Sequence, residues 1–215
     1  MITLFIDSSR KDLSVVLVKS DEIIYTSNIN SFYRHSNFLM KEIVCALNKN
    51  SLKISDIDNI VVLNGPGSFT GVRVGVTVSK TLAWALNKKI YTLSTLKALS
   101  LQANEKTVIS VISDKRNSGY VGVYCNDNNF EKYLDLSSIK DIVIDKKVTI
   151  VCFNNDDFVK SVYDLLLKTN NVSLKIIDEY DYLKVINYAL NNTPLNPHLV
   201  KPVYIKQIDA EKKSV

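Results

Sequence analysis

Ile2-Thr-Leu-Phe-Ile-Asp7 is a run of apolar and β-branched residues that ends on an acid, and Val108-Ile-Ser-Val-Ile-Ser-Asp114 repeats that arrangement in the second half of the chain. Outward from the first copy, residues 13–18 and 23–27 are further short apolar runs set apart by polar groups, so that residues 2–27 read as a three-stranded meander. The second copy is followed by a polar turn at 115–119 and by strands at 120–125 and near 133–136. Asp7 and Asp114 therefore hold the same place in two meanders. Each meander leads into alternating helices and strands. In the first half these are a helix over 36–48, with Ser36 as N-cap and Asn48-Lys49-Asn50 as its stop, a strand at 60–63, a helix over 71–86, a strand at 90–93, and a helix opened by Ser94 or Thr95. In the second half they are a strand at 148–153, a helix over 156–168 with Phe158, Val162, Leu165 and Leu166 on one face, a strand at 173–177, and a helix over 181–191. The pattern predicts a duplicated, two-lobed α/β fold, with lobes at 1–103 and 104–215 and an irregular, proline-punctuated tail from 192.

The helix over 71–86 runs against simple periodicity. Val72-Arg-Val-Gly-Val-Thr-Val78 alternates with period two, as a strand does. No turn separates it, however, from Ser79-Lys-Thr-Leu-Ala-Trp-Ala-Leu86, whose residues favour helix, and Thr70 offers a small N-cap.

Composition narrows the class. The 215 residues are 46% hydrophobic and 23% charged, which excludes disorder and a disulfide scaffold. No apolar run reaches the roughly 18 residues of a membrane span. The first residues carry no basic cluster before Asp7, so no secretory leader is expected and a cytoplasmic protein is. Cys45, Cys125 and Cys152 are isolated among apolar neighbours and are expected to be buried thiols. The net charge is +5, but the lysines are spread along the chain without a basic block interleaved with aromatics. His35 and His198 have no cysteine, histidine or acid at ligand spacing, so no metal site is expected. His35 reads as a capping or interface residue.

Four of only six glycines, Gly65, Gly67, Gly71 and Gly75, fall in one eleven-residue stretch between a strand and a helix. Such a stretch suits either a phosphate-cradling loop at a helix N-terminus or a tight structural turn. It matches neither the Walker loop nor the dinucleotide fingerprint, and Pro66 stands where a hydrolase elbow needs its first glycine. Asp7 with Ser8 and Ser9 is open to two readings as well: an acid that holds a metal-bound phosphate, or a carboxylate that caps its own turn. Asp114 and Arg116 form a second candidate anion site, or a solvated turn.

Several motifs together resemble the TsaB (YeaZ) family of tRNA threonylcarbamoyladenosine biosynthesis. They are Asp7-Ser8-Ser9, Arg34-His35-Ser36, Gly65-Pro-Gly-Ser-Phe-Thr-Gly-Val-Arg-Val-Gly75, Ser94-Thr-Leu-Lys-Ala-Leu99, Asp114-Lys-Arg116 with Val123-Tyr124, and Pro202-Val-Tyr-Ile-Lys206. Asn37 departs from the family's usual glutamate, and Lys41 from a common proline. The resemblance implies the actin, hexokinase and heat-shock-ATPase fold. It also implies a non-catalytic paralogue of TsaD that binds and stabilises TsaD while TsaD modifies N6 of the adenosine beside the anticodon in tRNAs reading ANN codons. TsaE is the implied further partner and a homodimer the implied alternative assembly. tRNA would be met only through the complex, and ATP and metal would be needed only there. The resemblance places the partner interface on His35, Ser36, Leu39, Met40, Ile43, Gly71, Val72, Gly75, Val76 and Ala83. The rival reading is an ATPase or small-molecule kinase of the same fold that uses Asp7, Ser8, Ser9, Asp114 and Arg116.

Overall fold

In a computed structural model, which describes residues 1–31, 34–125, 129–139, 147–168 and 171–206, the two meanders open two sheets of the same topology. The first sheet contains β1 (Ile2–Asp7), β2 (Asp12–Lys19), β3 (Glu22–Asn30), β4 (Asn59–Leu63) and β5 (Lys89–Leu93), in the order β3-β2-β1-β4-β5. β1 pairs antiparallel with β2 and parallel with β4. The second sheet contains β6 (Val108–Lys115), β7 (Ser118–Tyr124), β8 (Phe130–Asp135), β9 (Lys147–Cys152) and β10 (Asn171–Ile176), in the order β10-β9-β6-β7-β8. β6 takes the place of β1, pairing antiparallel with β7 and parallel with β9. The duplication expected from the sequence is present strand for strand.

β1 and β4 are buried along their whole length, as unbroken apolar runs require when both faces of a sheet are covered. On one face of the first sheet, α1 (His35–Lys49) brings Leu39, Ile43 and Leu47 and α2 (Phe69–Ala85) brings Val72, Val76 and Ala83 against Leu4, Ile6, Val15 and Val62. On the other face lies Phe5, whose ring meets that of Tyr182 edge-on at 5.5 Å. Tyr182 opens α6 (Tyr182–Leu190), and its hydroxyl donates to Asn28 Oδ1 at 2.7 Å. In the second sheet, α5 (Asp157–Leu167) buries Phe158, Val159, Val162 and Leu166 on Ile109, Val121 and Ile150. Two short helices, α3 (Thr95–Ser100) and α4 (Leu136–Ile139), are also present.

The compact units are Met1–Thr95 with Asp181–Val203, and Leu96–Tyr180 with the chain from Tyr204 on. They differ from the expected single cut at 103. α6 and the following segment return to the first sheet because Tyr182, Val185, Ile186 and Ala189 supply an apolar face that the N-terminal strands need.

Local details also differ from expectation. Ser36 is not the cap of α1. Arg34 holds that position without a side-chain bond, and Ser36 lies inside the helix. α2 begins before Thr70, because Ser68 is its N-cap and its hydroxyl accepts from the Gly71 amide at 3.2 Å. Asp114 lies within β6, so the hairpin turn shrinks to Arg116-Asn117. Of the three thiols only Cys152 is buried; Cys45 and Cys125 are half-buried.

Candidate functional site

The end of β1, the glycine stretch and the start of α1 meet in one tightly packed corner of the N-terminal unit. Asp7 is fully buried, and its Oδ1 accepts from the Ser9 amide at 2.8 Å and from the Ser9 hydroxyl at 2.6 Å. Its Oδ2 lies 3.7 Å from Arg10 Nε. Oδ1 is thus committed to capping its own turn, whereas the buried Oδ2 makes no hydrogen bond among the described residues and has the Arg10 guanidinium near it as a charge only.

The Ser8-Ser9 turn presses directly on α2. The Ser68 amide donates to the Ser9 carbonyl at 2.6 Å, and the Ser8 hydroxyl donates to the Gly71 carbonyl at 2.8 Å. A Cβ on Gly71 would fall on the Ser8 carbonyl oxygen and the His35 ring, and one on Gly75 would fall on the Ser8 hydroxyl. Gly65 adopts φ +102°, a left-handed conformation that side chains rarely take. These glycines therefore make room for the chain's own turn. The α2 N-terminus, the other half of the phosphate-loop reading, is occupied by Ser68 and Ser9.

His35 closes the corner. Its Nε2 faces the Arg10 carbonyl at 2.8 Å, an acceptor, so Nε2 carries the proton, while Nδ1 meets Ser31 Oγ at 2.6 Å. Burial lowers the pKa of His35, against opposing effects of the Arg10 carbonyl, Asp7 and Asp12. A folded pKa below the unfolded one, about 6.5, means that the ring's contribution to stability is complete above that value. It is lost as pH falls through the folded pKa. Thermal midpoints measured from about pH 7.5 down to about pH 5 are expected to fall. The fall should be shallower in His35→Gln, and an equal slope in both proteins would remove His35 from the effect.

The residues expected at a partner interface divide sharply. His35, Leu39, Ile43, Gly71, Val72, Gly75, Val76 and Ala83 are buried within their own unit, so their contacts are already taken by the core and the Ser8 turn. Only Ser36 and Met40 of that set are exposed. The outward surface of α1 and α2 is made instead by Met40, Val44, Phe69 and Trp84, which are 41%, 47%, 46% and 63% exposed. Helical spacing sets 40 and 44 beside the inward 39 and 43 and 84 beside 83, whereas Phe69, three residues before Val72, continues the inward stripe and is exposed as the first residue of α2.

In the C-terminal unit, Asp114 accepts from Lys206 Nζ at 2.6 Å and from the Tyr133 hydroxyl at 2.8 Å. Burial opposes ionisation, but these two hydrogen bonds and the Lys206 charge prevail and hold the Asp114 pKa below its ordinary value. Arg116 lies 3.5 Å from Asp157 with both side chains largely exposed, a pair of little energetic weight. The acids of the two meanders thus belong to different units, each engaged within its own. Among the described residues, no three His, Cys, Asp or Glu side chains cluster to hold a metal ion, and no helix is long and apolar enough to cross a membrane.

Two sheets of one topology, each with its meander and parallel crossovers, define the duplicated α/β fold of the actin, hexokinase and heat-shock-ATPase class. YeaZ from Pseudomonas aeruginosa superposes with a TM-score of 0.73 over 94% of this chain and 99% of that one, at 20% identity. A family model described as TsaD, tRNA N6-adenosine threonylcarbamoyltransferase, matches residues 30–148. TsaB of Bacillus subtilis is 37% identical over 126 residues, which are 58% of this chain and 55% of that protein. An uncharacterized protein of Mycoplasma genitalium is 27% identical over 210 residues, 94% of each chain. The chain belongs to that family and, within it, to the TsaB/YeaZ group. The chain spans little more than half the length of the TsaB proteins it matches, 55% and 62% of them.

Proposed function

We propose that this chain is a non-catalytic scaffold of tRNA threonylcarbamoyladenosine biosynthesis. It binds and stabilises TsaD, which modifies N6 of the adenosine beside the anticodon in tRNAs reading ANN codons, with TsaE joining the pair in the cytoplasm. The observation that carries the reading is that two neighbouring helices leave large apolar side chains exposed after the core is complete, Met40 and Val44 one turn apart on α1 and Phe69 and Trp84 at the two ends of α2. Large apolar side chains left in solvent on neighbouring helices mark an interaction surface. The capping of the Ser9 amide and hydroxyl by Asp7 Oδ1, in a fully buried corner, supports a scaffold over a nucleotide-using enzyme. The similarity to TsaB proteins supplies the pathway.

The scaffold is expected to co-elute with TsaD of the same organism, and tRNA threonylcarbamoylation by TsaD is expected to depend on it. Val44→Asp is expected to weaken that association by about thirtyfold, a loss of about 2 kcal/mol typical of an interface centre. It should leave thermal stability close to wild type, because Val44 is half exposed. Modification that proceeds equally without the chain would overturn the reading.

A further inference from the structure

Asp7 and Asp114 close equivalent strands, and the register aims them differently. Asp7 pairs regularly with Ser14. In β6, Ser113 pairs with Gly119 and Lys115 with Ser118, so Asp114 is the extra residue of a β-bulge, a device that bends a strand and re-aims a side chain. Its carboxylate meets a group prepared for it, the Tyr133 hydroxyl, which donates to Oδ2 at 2.8 Å. Because that hydroxyl gives its proton to Asp114, the Ser118 hydroxyl at 2.8 Å donates to Tyr133 in turn. The ladder of β7 and β8 sets Tyr133 opposite Tyr120, and the two rings meet edge-on at 5.1 Å. The acid and the phenol are therefore placed by β6, β7 and β8. Lys206, 92 residues beyond Asp114, arrives on this frame: its ammonium donates to Asp114 Oδ2 at 2.6 Å and lies 4.7 Å from the centre of the Tyr133 ring.

From this geometry we propose that Asp114 and Tyr133, braced by Ser118 and Tyr120, form a binding site for a primary ammonium. Its resident ligand is Lys206 of the same chain, a clasp that fastens the segment from Tyr204 to the C-terminal unit. The carboxylate supplies the countercharge, and the ring face supplies a wall that attracts a cation. The side chains of the pair are 31% and 30% exposed, against 84% and 67% for Arg116 and Asp157, so water screens the clasp less. The Asp114 hydrogen bond raises the Lys206 pKa, outweighing the desolvation that opposes it. An anion has no equivalent place: it would face a carboxylate, and Arg116 already lies beside Asp157. The inference draws nothing from the scaffold reading.

Acetic anhydride labelling of the full chain, read lysine by lysine, tests the clasp. A held ammonium gives up its proton reluctantly, so Lys206 should acetylate about tenfold more slowly than exposed Lys19 and Lys53, the equivalent of one pKa unit. Asp114→Asn should bring Lys206 to within about twofold of them. Trypsin, which needs the same side chain free, should then cut after Lys206 about tenfold faster. Tyr133→Phe keeps the ring and loses the hydroxyl, and should raise the labelling about threefold, the worth of one hydrogen bond. Asp157→Asn is the control and should leave Lys206 unchanged. The same ratios are expected at about 1 and about 100 μM chain, because the ligand is internal. In Lys206→Ala the vacated site should take ethylammonium at about 100 mM, seen as shifts of the Tyr120 and Tyr133 ring resonances that sodium chloride of equal ionic strength does not produce. Lys206 labelled as fast as Lys19, or labelling indifferent to Asp114→Asn, would overturn the clasp. Protection that grows with concentration would put Lys206 on another copy, and rings that do not respond to ethylammonium would remove the ammonium site; either result overturns the inference. If Asp114→Asn loses its thermal transition, Tyr133→Phe decides: faster labelling of Lys206 supports the clasp, and unchanged labelling overturns it.

Discussion

Gly71→Ala is expected to cost about 3 kcal/mol or more of folding stability, read as a fall in the urea midpoint with unchanged slope. The added methyl has no room. It would overlap the Ser8 carbonyl oxygen, which is backbone, and the ring of His35, which is held on both sides by Ser31 and Arg10. Ala gains about 1 kcal/mol over Gly from helix propensity, too little to offset the overlap. Gly75→Ala differs in an informative way, because its methyl meets the Ser8 hydroxyl. Ser8→Ala removes that oxygen, leaving Ser8 Cβ at 3.4 Å. Ser8→Ala should therefore rescue much of the Gly75→Ala loss, and none of the Gly71→Ala loss. From the sequence alone, a bulky residue at Gly75 is expected to damage association more than folding. What approaches Gly75 is the chain's own turn, so such a residue is expected to damage folding as well.

What the sequence disclosed and what it withheld follow from the range of the interactions. The strand-acid-turn pattern at Asp7 and Asp114 is local and repeated, so the duplicated fold was legible. α2 was legible despite the alternating valines because both sets serve a helix: Val72 and Val76 enter the core, while Val74 and Val78 lie half-buried at its margin. The caps at Arg34 and Ser68 each lie two residues ahead of the expected Ser36 and Thr70, and at Ser68 the amide is drawn to the Ser9 carbonyl, a partner far away in sequence. Half of the residues expected at the interface, Leu39, Ile43, Val72, Val76 and Ala83, are apolar positions of α1 and α2 that the core of the unit buries.

Asp7→Ala is expected to destabilise the fold by about 3 kcal/mol and to do so before any effect on ligand binding can be read. The carboxylate is wholly buried, so its removal leaves the Ser9 amide and hydroxyl without their acceptor and Arg10 beside a cavity without its countercharge. Asp7→Asn keeps an acceptor for Ser9 and loses only the charge, so it should fall between wild type and Asp7→Ala. If the pair is the source of the effect, Asp7→Ala/Arg10→Ala should cost less than the sum of its single changes. Chemical unfolding of the wild type, Asp7→Ala, Asp7→Asn, Arg10→Ala and the double variant, run beside nucleotide titrations, separates the two roles open to this acid. A turn-capping Asp7 predicts a graded loss of stability and no micromolar nucleotide affinity to lose. A phosphate-handling Asp7 predicts a stable Asp7→Ala protein in which micromolar nucleotide binding has vanished. The geometry favours the first outcome, because Oδ1 already accepts from both the Ser9 amide and the Ser9 hydroxyl and Oδ2 is buried beside Arg10.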